Sequence, residues 1–316
     1  MNPISSFHSR RSVIVTGATG VIGRWVPELL LKRGFTVHLL GRRISERCAM
    51  QSRFRGCSFH DIDLLDPSRL SEQLRQVNAS HLLHLAWHQM DPATVYVSNE
   101  NLSWVGASVD LVQAFAEAGG QRVLVAGTCA EYEWGAGLLD EDATPRKPSN
   151  AYGIAKAALR EALNPKTSTL GLSLAWPHIF SCFGPGERPR RLVPDAISTL
   201  VANKLFHCTE GNQKRDYLYA EDVAAALVEI LQSKTEGMLN IATGHGITVR
   251  ELVDVIAQSV GRPDLIRYGA RPRLPIDPEH IVGSTRRLTQ EVGFKPRFTL
   301  KEGIDRTILY FRNQLT

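Results

Sequence analysis

A glycine-rich turn near the start of the chain constrains its fold more than any other feature. Residues 16–23 read Thr16-Gly17-Ala18-Thr19-Gly20-Val21-Ile22-Gly23, between the β-branched run Ser12–Val15 and a stretch in which apolar residues recur at helical spacing. A strand, a glycine turn and a helix in this order present backbone N–H groups and a helix N-terminus to a phosphate. We therefore predict a dinucleotide site, in which Gly17 permits the turn, Gly20 admits a pyrophosphate and Gly23 packs the helix on the strand. A glycine-rich loop that binds nothing is the alternative.

Further apolar runs of strand length follow, separated by helical or loop segments. The runs cover residues 35–40, 57–64, 81–86 and 122–126, and the clearest helices between them are predicted over 68–77 and 101–118. Strands that alternate with helices form a parallel, doubly wound sheet, and ligands bind at the carboxyl ends of its strands. Pro27 is expected to cause a small kink in the first helix.

The predicted fold class is α/β, a Rossmann-type doubly wound parallel sheet with a smaller C-terminal substrate-binding lobe. We expect residues 10–177 to form an NAD(P)-binding domain and residues 178–316 to form mainly the substrate-binding lobe. A segment of about 216–243 is expected to return to the first domain.

The composition narrows the function classes. The 316 residues are 43% hydrophobic and 22% charged, without an apolar stretch of membrane-spanning length. The polar N-terminus, Met1–Arg11, lacks a signal-peptide core, and five cysteines without CxxC spacing indicate neither disulfides nor a metal site. We expect a cytoplasmic protein with no membrane, nucleic-acid or metal partner. The net charge of +5 favours anionic ligands only weakly.

The residues that end the second strand decide which dinucleotide fits. NAD sites place an acid there for the ribose hydroxyls, whereas NADP sites place an arginine for the 2′-phosphate. This chain reads Gly41-Arg42-Arg43, with no acid. Two guanidiniums suit a phosphate dianion through charge-assisted hydrogen bonds, and a solvated pair of charges is the alternative. We therefore favour NADP(H) over NAD(H).

A tyrosine and a lysine are the candidates for proton transfer. Tyr152 and Lys156 are four residues apart in a predicted helix, so their side chains share one face. An ammonium beside a phenol favours the phenolate, so we expect Lys156 to lower the pKa of Tyr152 from its usual value of about 10. Such a tyrosine exchanges a proton with a carbinol or carbonyl oxygen, to which Thr128, at a strand end, can also donate. Alone, the pair is usually a surface feature; downstream of a dinucleotide motif, catalysis is the better interpretation.

Together these motifs resemble the extended short-chain dehydrogenase/reductase family, and more narrowly its nucleotide-sugar epimerase, dehydratase and ketoreductase branch. The resemblance runs from about Val13 to about Phe311. It implies an NAD(P)-dependent enzyme of nucleotide sugars in which Thr128, Tyr152 and Lys156 are catalytic. The cofactor contacts that the motifs and the resemblance predict are Gly17, Thr19, Gly20, Val21, Ile22, Gly23, Arg42, Arg43, Asp63, Leu64, Leu85, Ala86, Tyr152 and Lys156.

The second half of the chain resembles the family's substrate-binding segments. Residues 211–223 are similar to the segment whose arginine binds the substrate diphosphate, a role that falls to Arg215 here. Arg271 resembles the second diphosphate arginine, with Arg273 as a close competitor. Asp222 is expected to cap the following helix. The predicted substrate contacts are His88, Thr128, Cys129, His178, Arg191, Arg215 and Arg271.

The residues after Thr128 narrow the reaction. In the family, 4,6-dehydratases carry an Asp-Glu pair there, and 3,5-epimerising relatives carry a cysteine two places after the Ser/Thr; this chain has Cys129 and Ala130. Neither reaction is supported, and Cys129 is interpreted as a small packed residue. The prediction is an NADPH-dependent 4-ketoreductase of an NDP-4-keto-6-deoxyhexose, in deoxysugar or polysaccharide biosynthesis.

Two other functions stay open. One is an NAD-dependent NDP-sugar 4-epimerase, against which the arginines after the second strand argue. The other, from a different class, is a non-catalytic dinucleotide-binding regulator, against which the complete Thr/Tyr/Lys set argues. Many relatives dimerise through the helix that carries the Tyr-x-x-x-Lys motif and the long helix beside it. The resemblance therefore implies a homodimer through residues 101–118 and 150–163.

Overall fold

The β-branched runs become strands in the computed structural model, which describes residues 11–88, 92–135, 137–274 and 277–315. In chain order the strands are β1 (Ser12–Thr16), β2 (Thr36–Gly41), β3 (Ser58–Asp61), β4 (His81–His84), β5 (Arg122–Val125), β6 (Gly127–Thr128), β7 (Leu138–Leu139), β8 (Ser173–Ile179), β9 (Ser181–Phe183), β10 (Phe206–His207), β11 (Lys214–Arg215), β12 (Tyr217–Tyr219), β13 (Gly237–Ile241), β14 (Ile247–Thr248), β15 (Ile266–Arg267) and β16 (His280–Gly283).

Helices fill most of the intervening segments. They are α1 (Val26–Lys32), α2 (Ile44–Cys48), α3 (Leu70–Val77), α4 (Pro92–Val95), α5 (Glu100–Glu117), α6 (Ala151–Thr169), α7 (Leu192–Val201), α8 (Ala220–Gln232), α9 (Val249–Val260), α10 (Arg286–Gln290) and α11 (Leu300–Leu315). None of the described helices has both the length and the apolar character needed to cross a membrane.

The main sheet is parallel and doubly wound, as the sequence predicts. Its strand order is β13-β8-β5-β4-β1-β2-β3, and β6 continues beside β8. Thr16 at the end of β1 lies opposite Leu40 of β2 and His84 of β4. The carboxyl ends of these strands therefore meet at one edge of the sheet, next to the glycine turn.

Helices cover both faces of this sheet, because alternate strand residues point to opposite sides. Val13 and Val15 pack in one core with residues of α1 and α8. Ile14, between them, packs in another core with residues of α3, α5 and α6. A third core joins α7, α9 and α11 in the C-terminal half. The predicted α/β fold class with a smaller C-terminal lobe is confirmed.

Several local expectations differ from the structure. The predicted domain boundary after residue 177 falls inside β8, which belongs to the main sheet, and β13 lies parallel beside it. Pro27 stands in the first turn of α1, where no intrahelical N–H is needed, so it causes no break. Asp222 lies inside α8 and is fully buried; its carboxylate accepts from the N–H groups of Arg297 and Phe298 at 3.1 and 3.0 Å. Residues 1–10, which the signal-peptide expectation concerns, lie outside the described part of the chain.

Candidate active site

The glycine turn forms the floor of the candidate site. Gly17 has a φ of +75°, and a Cβ there would lie 2.7 Å from the backbone of Leu85 and Ala86. The N–H of Gly20 donates to the carbonyl oxygen of Gly17 at 3.0 Å, which closes the turn. A Cβ on Gly23 would lie 2.1 Å from that same oxygen. Only glycine fits at positions 17 and 23, so the turn is held tightly against the end of β4.

Two adjoining cavities open at this edge of the sheet. The first, which we call the arginine cavity, has a volume of about 560 Å³; the second, the tyrosine cavity, has a volume of about 680 Å³. Gly17, Thr19, Gly20 and Leu85 line both. Of the other predicted site residues, Arg42, Asp63, Leu64 and Ala86 line the arginine cavity, His88 lines both, and Val21, Ile22, Gly23, Thr128, Cys129, Tyr152, Lys156 and Arg191 line the tyrosine cavity.

The arginines after β2 do not act as the pair that the sequence predicts. Arg42 lines the arginine cavity, 4.0 Å from the carboxylate of Asp63. Arg43 has a left-handed backbone with φ of +49°, and its guanidinium forms two hydrogen bonds of 2.6 and 2.7 Å with Glu46 on the exposed surface. Arg47, one turn further along α2, lines both cavities. The second arginine that lines the arginine cavity is therefore Arg47 and not Arg43.

The predicted catalytic side chains converge in the tyrosine cavity. The side chain of Asn150 accepts from the N–H of Gly153 at 2.9 Å and so starts α6 where Tyr152 faces the cavity. One turn further, the Lys156 ammonium donates to the carbonyl oxygen of Ala126 at 2.8 Å. Thr128 lies within hydrogen-bonding reach of the Tyr152 phenol and lowers its pKa.

Burial, however, dominates the titration of this pair. It raises the pKa of Tyr152 above its usual value, with the nearby Tyr96 adding to the effect. It also lowers the pKa of Lys156 to about 7, against the attraction of Glu131. The expectation that Lys156 lowers the pKa of Tyr152 is therefore wrong for this arrangement, because desolvation disfavours both charged forms.

A buried polar network lies behind Thr128. The Glu131 carboxylate accepts from the N–H of Thr128 at 3.0 Å and from the Trp176 indole at 3.1 Å. Burial opposes its charge, yet His178 and these hydrogen bonds hold the pKa of Glu131 below its ordinary value. His178 is fully buried, 2.9 Å from the Tyr132 hydroxyl and 3.3 Å from Glu131. The predicted substrate contact by His178 is therefore wrong: its ring belongs to the core behind Thr128.

Two other predicted contacts have identifiable roles. Cys129 lines the tyrosine cavity, but burial raises the pKa of its thiol to about 12, so it is not poised for thiolate chemistry. His88 also lines both cavities, and its Nε2 lies 2.5 Å from the Glu100 carboxylate. Cys129 fits the interpretation of a small packed residue.

The predicted diphosphate arginines separate into two groups. Arg191 lines the tyrosine cavity, whereas Arg215, nearly buried, is paired with Asp277. Asp277 also lies 3.5 Å from Arg273, which places Arg215 and Arg273 around one carboxylate. Arg271 is exposed, and its backbone N–H donates to the carbonyl oxygen of Cys208 at 3.1 Å. The second arginine beside Arg215 is therefore Arg273 and not Arg271.

Sequence reasoning missed several residues of the tyrosine cavity. Tyr96 and Tyr217 line it, as does Glu187, whose carboxyl pKa burial raises to about 8 against the effect of Arg191. Trp87 lines both cavities and contacts Lys156. Tyr96, Tyr217 and Glu187 come from separate segments, so the sequence gives no local signal for them. The sequence does offer Trp87, which directly follows the predicted contact Ala86, as a wall for a sugar or base, with core packing as the alternative.

The comparisons with known proteins agree with this geometry. A family model described as "NAD dependent epimerase/dehydratase family" matches residues 13–242. A curated relative from Aggregatibacter actinomycetemcomitans, dTDP-6-deoxy-L-talose 4-dehydrogenase (NAD(+)), is 28% identical over 249 residues, covering 77% of this chain and 88% of the relative. UDP-glucose 4-epimerase of Streptomyces lividans is 25% identical over 309 residues, covering 90% and 91%.

A solved structure extends the likeness to three dimensions. UDP-glucose 4-epimerase of Thermus thermophilus, in complex with NAD, superposes with a TM-score of 0.83. The two chains are 26% identical, and the match covers 95% of this chain and 99% of that one. The likeness spans both the main sheet and the C-terminal half.

Proposed function

Since the chain belongs to the NAD-dependent epimerase/dehydratase family, we propose that it is an NADPH-dependent reductase of a nucleotide-activated sugar that carries a keto group at C4, most specifically an NDP-4-keto-6-deoxyhexose. The members that it resembles are nucleotide-sugar epimerases, dehydratases and dehydrogenases, all NAD(P)-dependent enzymes. The choice of a reductase rests on the arginine cavity: Arg42 directly follows β2, where an NAD site has an acid, and Arg47 of α2 lines the same cavity.

The glycine turn fits a dinucleotide. Gly17, Gly20 and Gly23 leave the backbone bare where a pyrophosphate approaches, and a Cβ at Gly17 or Gly23 would collide with neighbouring backbone. Asp63 and Leu64 also line the arginine cavity, and in this proposal they contact the adenine. In this proposal Arg42 and Arg47 bind the 2′-phosphate of NADP(H), which two guanidiniums neutralise better than one.

The residues of the tyrosine cavity perform the proton transfer. What the dinucleotide supplies when bound is a hydride. Tyr152 gives its phenolic proton to the O4 oxygen of the sugar, Thr128 donates a hydrogen bond to the same oxygen, and Lys156 holds the tyrosine and the ribose in place. The net reaction converts a C4 carbonyl to a C4 hydroxyl, with one hydride and one proton added. The relative named as a 4-dehydrogenase of a 6-deoxy sugar supports redox chemistry at this carbon.

In this proposal the substrate diphosphate binds to arginines of the two groups described above. Arg191 lines the tyrosine cavity, and Arg215 and Arg273 lie together around Asp277. A diphosphate offers the charge and the paired oxygens that guanidiniums bind bidentately. Cys129 and Ala130 replace the acid and base of a 4,6-dehydratase, so water elimination is not part of this proposal.

Cofactor binding tests the proposal most directly. Calorimetry on the cofactor-stripped protein should give a dissociation constant for NADPH at least tenfold lower than for NADH. Arg42→Ala and Arg47→Ala should each remove most of that preference. Arg43→Ala, at the neighbouring residue paired with Glu46 outside both cavities, is the matched control and should keep it. A wild-type protein that prefers NAD(H) contradicts the proposal. So does an Arg43→Ala variant that loses the preference for NADPH as much as Arg42→Ala and Arg47→Ala do.

The alternative function is an NAD-dependent 4-epimerase. It is supported by the UDP-glucose 4-epimerases that this chain matches over 90% or more of its length. An epimerase oxidises and reduces the same carbon and keeps its dinucleotide bound. Copurified NAD together with conversion of UDP-glucose to UDP-galactose would move the assignment to that reaction. Consumption of NADPH at 340 nm with dTDP-, GDP-, CDP- or UDP-linked keto sugars supports the reductase.

We also propose a homodimer. The outer faces of α5 and α6 expose apolar residues, among them Leu102 and Ile154, at 64% and 51% of their maximal areas. The two helices pack beside each other and their other faces lie in the core of the main sheet. A second copy of this chain, packed in the same way, would cover both faces.

A further inference from the structure

We propose that Trp87 is a positioning residue for the Lys156–Tyr152 pair: its indole face holds the lysine ammonium at the boundary between the arginine cavity and the tyrosine cavity. The proposal rests on the proposed function, in which Lys156 serves the tyrosine and the bound dinucleotide. It assigns a defined task to a side chain that neither the glycine motif nor the Tyr-x-x-x-Lys motif includes.

The ammonium of Lys156 is buried but has few polar contacts that stabilise its charge. Lys156 is only 3% exposed, and its Nζ lies 3.7 Å from the centroid of the Trp87 ring. One N–H donates to the carbonyl oxygen of Ala126 at 2.8 Å. Within the described residues, no carboxylate oxygen lies within 4 Å of this Nζ to form an ion pair. The electron-rich face of the indole is therefore a principal contact of the buried charge.

The indole is itself held firmly. Its Nε1 donates to the side-chain oxygen of Asn101 at 2.9 Å. Asn101 is 1% exposed, and its amide donates to the carbonyl oxygens of Val95 and Ser98 at 2.7 and 2.9 Å. The Trp87 ring also meets the Tyr152 ring edge to face at a centroid distance of 6.2 Å. Asn101 thus fixes the indole against both members of the catalytic pair.

Trp87 also lies where the two cavities meet, since it lines both. A ring at this boundary places the ammonium between the predicted dinucleotide and the predicted sugar. Removal of the ring takes away the stabilisation of the ammonium, so Lys156 would lose its proton at a lower pH. The other titratable groups near Lys156 are Tyr152 on its own helix, Glu131 after β6 and His84 on β4.

The test measures the pH dependence of NADPH binding by calorimetry between pH 6 and 9. Because a protonated lysine favours an anionic ligand, the dissociation constant should begin to rise near pH 7, where burial places the pKa of Lys156. In Trp87→Leu this break should move down by about one pH unit, and in Trp87→Phe by about half as much. Lys156→Met should lack the break and show only the titration of the ligand's own phosphate. That result would assign the break to Lys156.

Trp25 provides a matched control. It is also a partly buried tryptophan beneath a cation, with Arg53 5.9 Å from its ring, but it lines neither cavity. Trp25→Leu should leave the break where it is in the wild type. With a keto sugar that the wild type reduces, kcat of Trp87→Leu should fall about tenfold at pH 8 and recover at pH 6, while KM for the sugar changes less than threefold.

The outcomes separate this inference from the proposed function. A wild type that binds no nicotinamide dinucleotide overturns the proposed function. If the wild type binds NADPH and the break occurs at the same pH in Trp87→Leu as in the wild type, the role of Trp87 is overturned while the proposed function stands. If Trp87→Leu does not fold by circular dichroism, Trp87→Phe decides, and a break at the wild-type pH overturns the proposal.

Discussion

At the scale of single residues, the tyrosine cavity combines the proposed proton donor, Tyr152, with side chains that contact it. Tyr152 faces the cavity from α6, and Thr128 reaches its phenol from the end of β6. Burial raises the pKa of Tyr152, so near neutral pH the phenol carries its proton. A protonated phenol is the form that reduction of a carbonyl requires, because that step consumes a proton.

Tyr152→Phe is the direct test of this role. The substitution removes only the hydroxyl, so turnover of a keto-sugar substrate should fall at least a hundredfold, within the range of general acid catalysis. The dissociation constant for NADPH should change less than threefold, since the ring and Lys156 remain. Steady-state assays at 340 nm and calorimetry measure the two quantities. Appreciable turnover by Tyr152→Phe would contradict the assignment of Tyr152 as the proton donor.

The site could be predicted from the sequence as far as its local motifs reach. The glycine turn, Thr128, Tyr152 and Lys156 are recognisable because turn chemistry and helical spacing are short-range properties. The contact predicted for Arg43 with the cofactor was not recognisable as unsuitable, because its backbone at the start of α2 is left-handed and its side chain pairs with Glu46. The substrate contact predicted for His178 was wrong because the register of β8 directs its ring into the core, and residue spacing does not reveal a strand register.

At the scale of elements, buried polar contacts join the strand ends that form the site. The Thr16 hydroxyl at the end of β1 lies 2.7 Å from the Nδ1 atom of His84 on β4 and accepts from the N–H of Ala86 at 3.1 Å. The Nε2 atom of His84 lies 2.9 Å from the hydroxyl of Ser108 on α5. One neutral imidazole therefore connects two strands and a helix beneath the glycine turn.

This connection predicts how stability depends on pH. Burial lowers the pKa of His84 from 6.5 to about 3, with Lys156 adding to the effect. Below pH 6.5 the unfolded chain binds a proton here that the folded chain does not, so the free energy of unfolding falls as the pH falls. The slope for this one group is at most about 1.4 kcal/mol per pH unit, between about pH 6 and pH 4.

Urea unfolding at pH 7, 6 and 5 measures that slope. His84→Gln should be less stable at pH 7, because two hydrogen bonds change, but its stability should fall less steeply with decreasing pH. His207→Gln, at an exposed position, is the control and should keep the wild-type slope. Parallel slopes for His84→Gln and the wild type would contradict a neutral, buried His84.

The order of elements was more predictable than their ends. Continuous apolar runs give the strands of a parallel sheet, and the predicted runs at residues 35–40 and 122–126 contain most of β2 and β5. The predicted helix 150–163 extends to Thr169 despite Pro165. The role of Asp222 depends on a chain segment 75 residues away, so no local pattern could give it.

At the scale of the whole molecule, the proposed dimer links the surface to α6, the helix that carries Tyr152 and Lys156. α6 directs Tyr152 towards the tyrosine cavity and exposes Ile154, two residues further, on its outer side. Leu102, near the start of α5, is also exposed, one residue after the Asn101 that fixes Trp87. Covering these faces with a second copy would restrict the motion of both helices that hold the Lys156–Tyr152 pair.

Light scattering after size exclusion tests this arrangement. The chain has a mass of 35.0 kDa, so the wild-type dimer should give about 70 kDa. Leu102→Glu combined with Ile154→Glu should give the monomer, because four carboxylates would be buried at a symmetric interface. Leu309→Glu carries the same kind of change at an exposed leucine of α11 and should remain dimeric. A monomeric wild type would contradict the proposed dimer, and a dimer that survives both the α5 and the α6 substitution would place the interface on another surface. If the monomeric variant binds NADPH as the wild type does but reduces its substrate more slowly, the dimer contributes by holding α6 in place, since the cavities themselves lie within one chain.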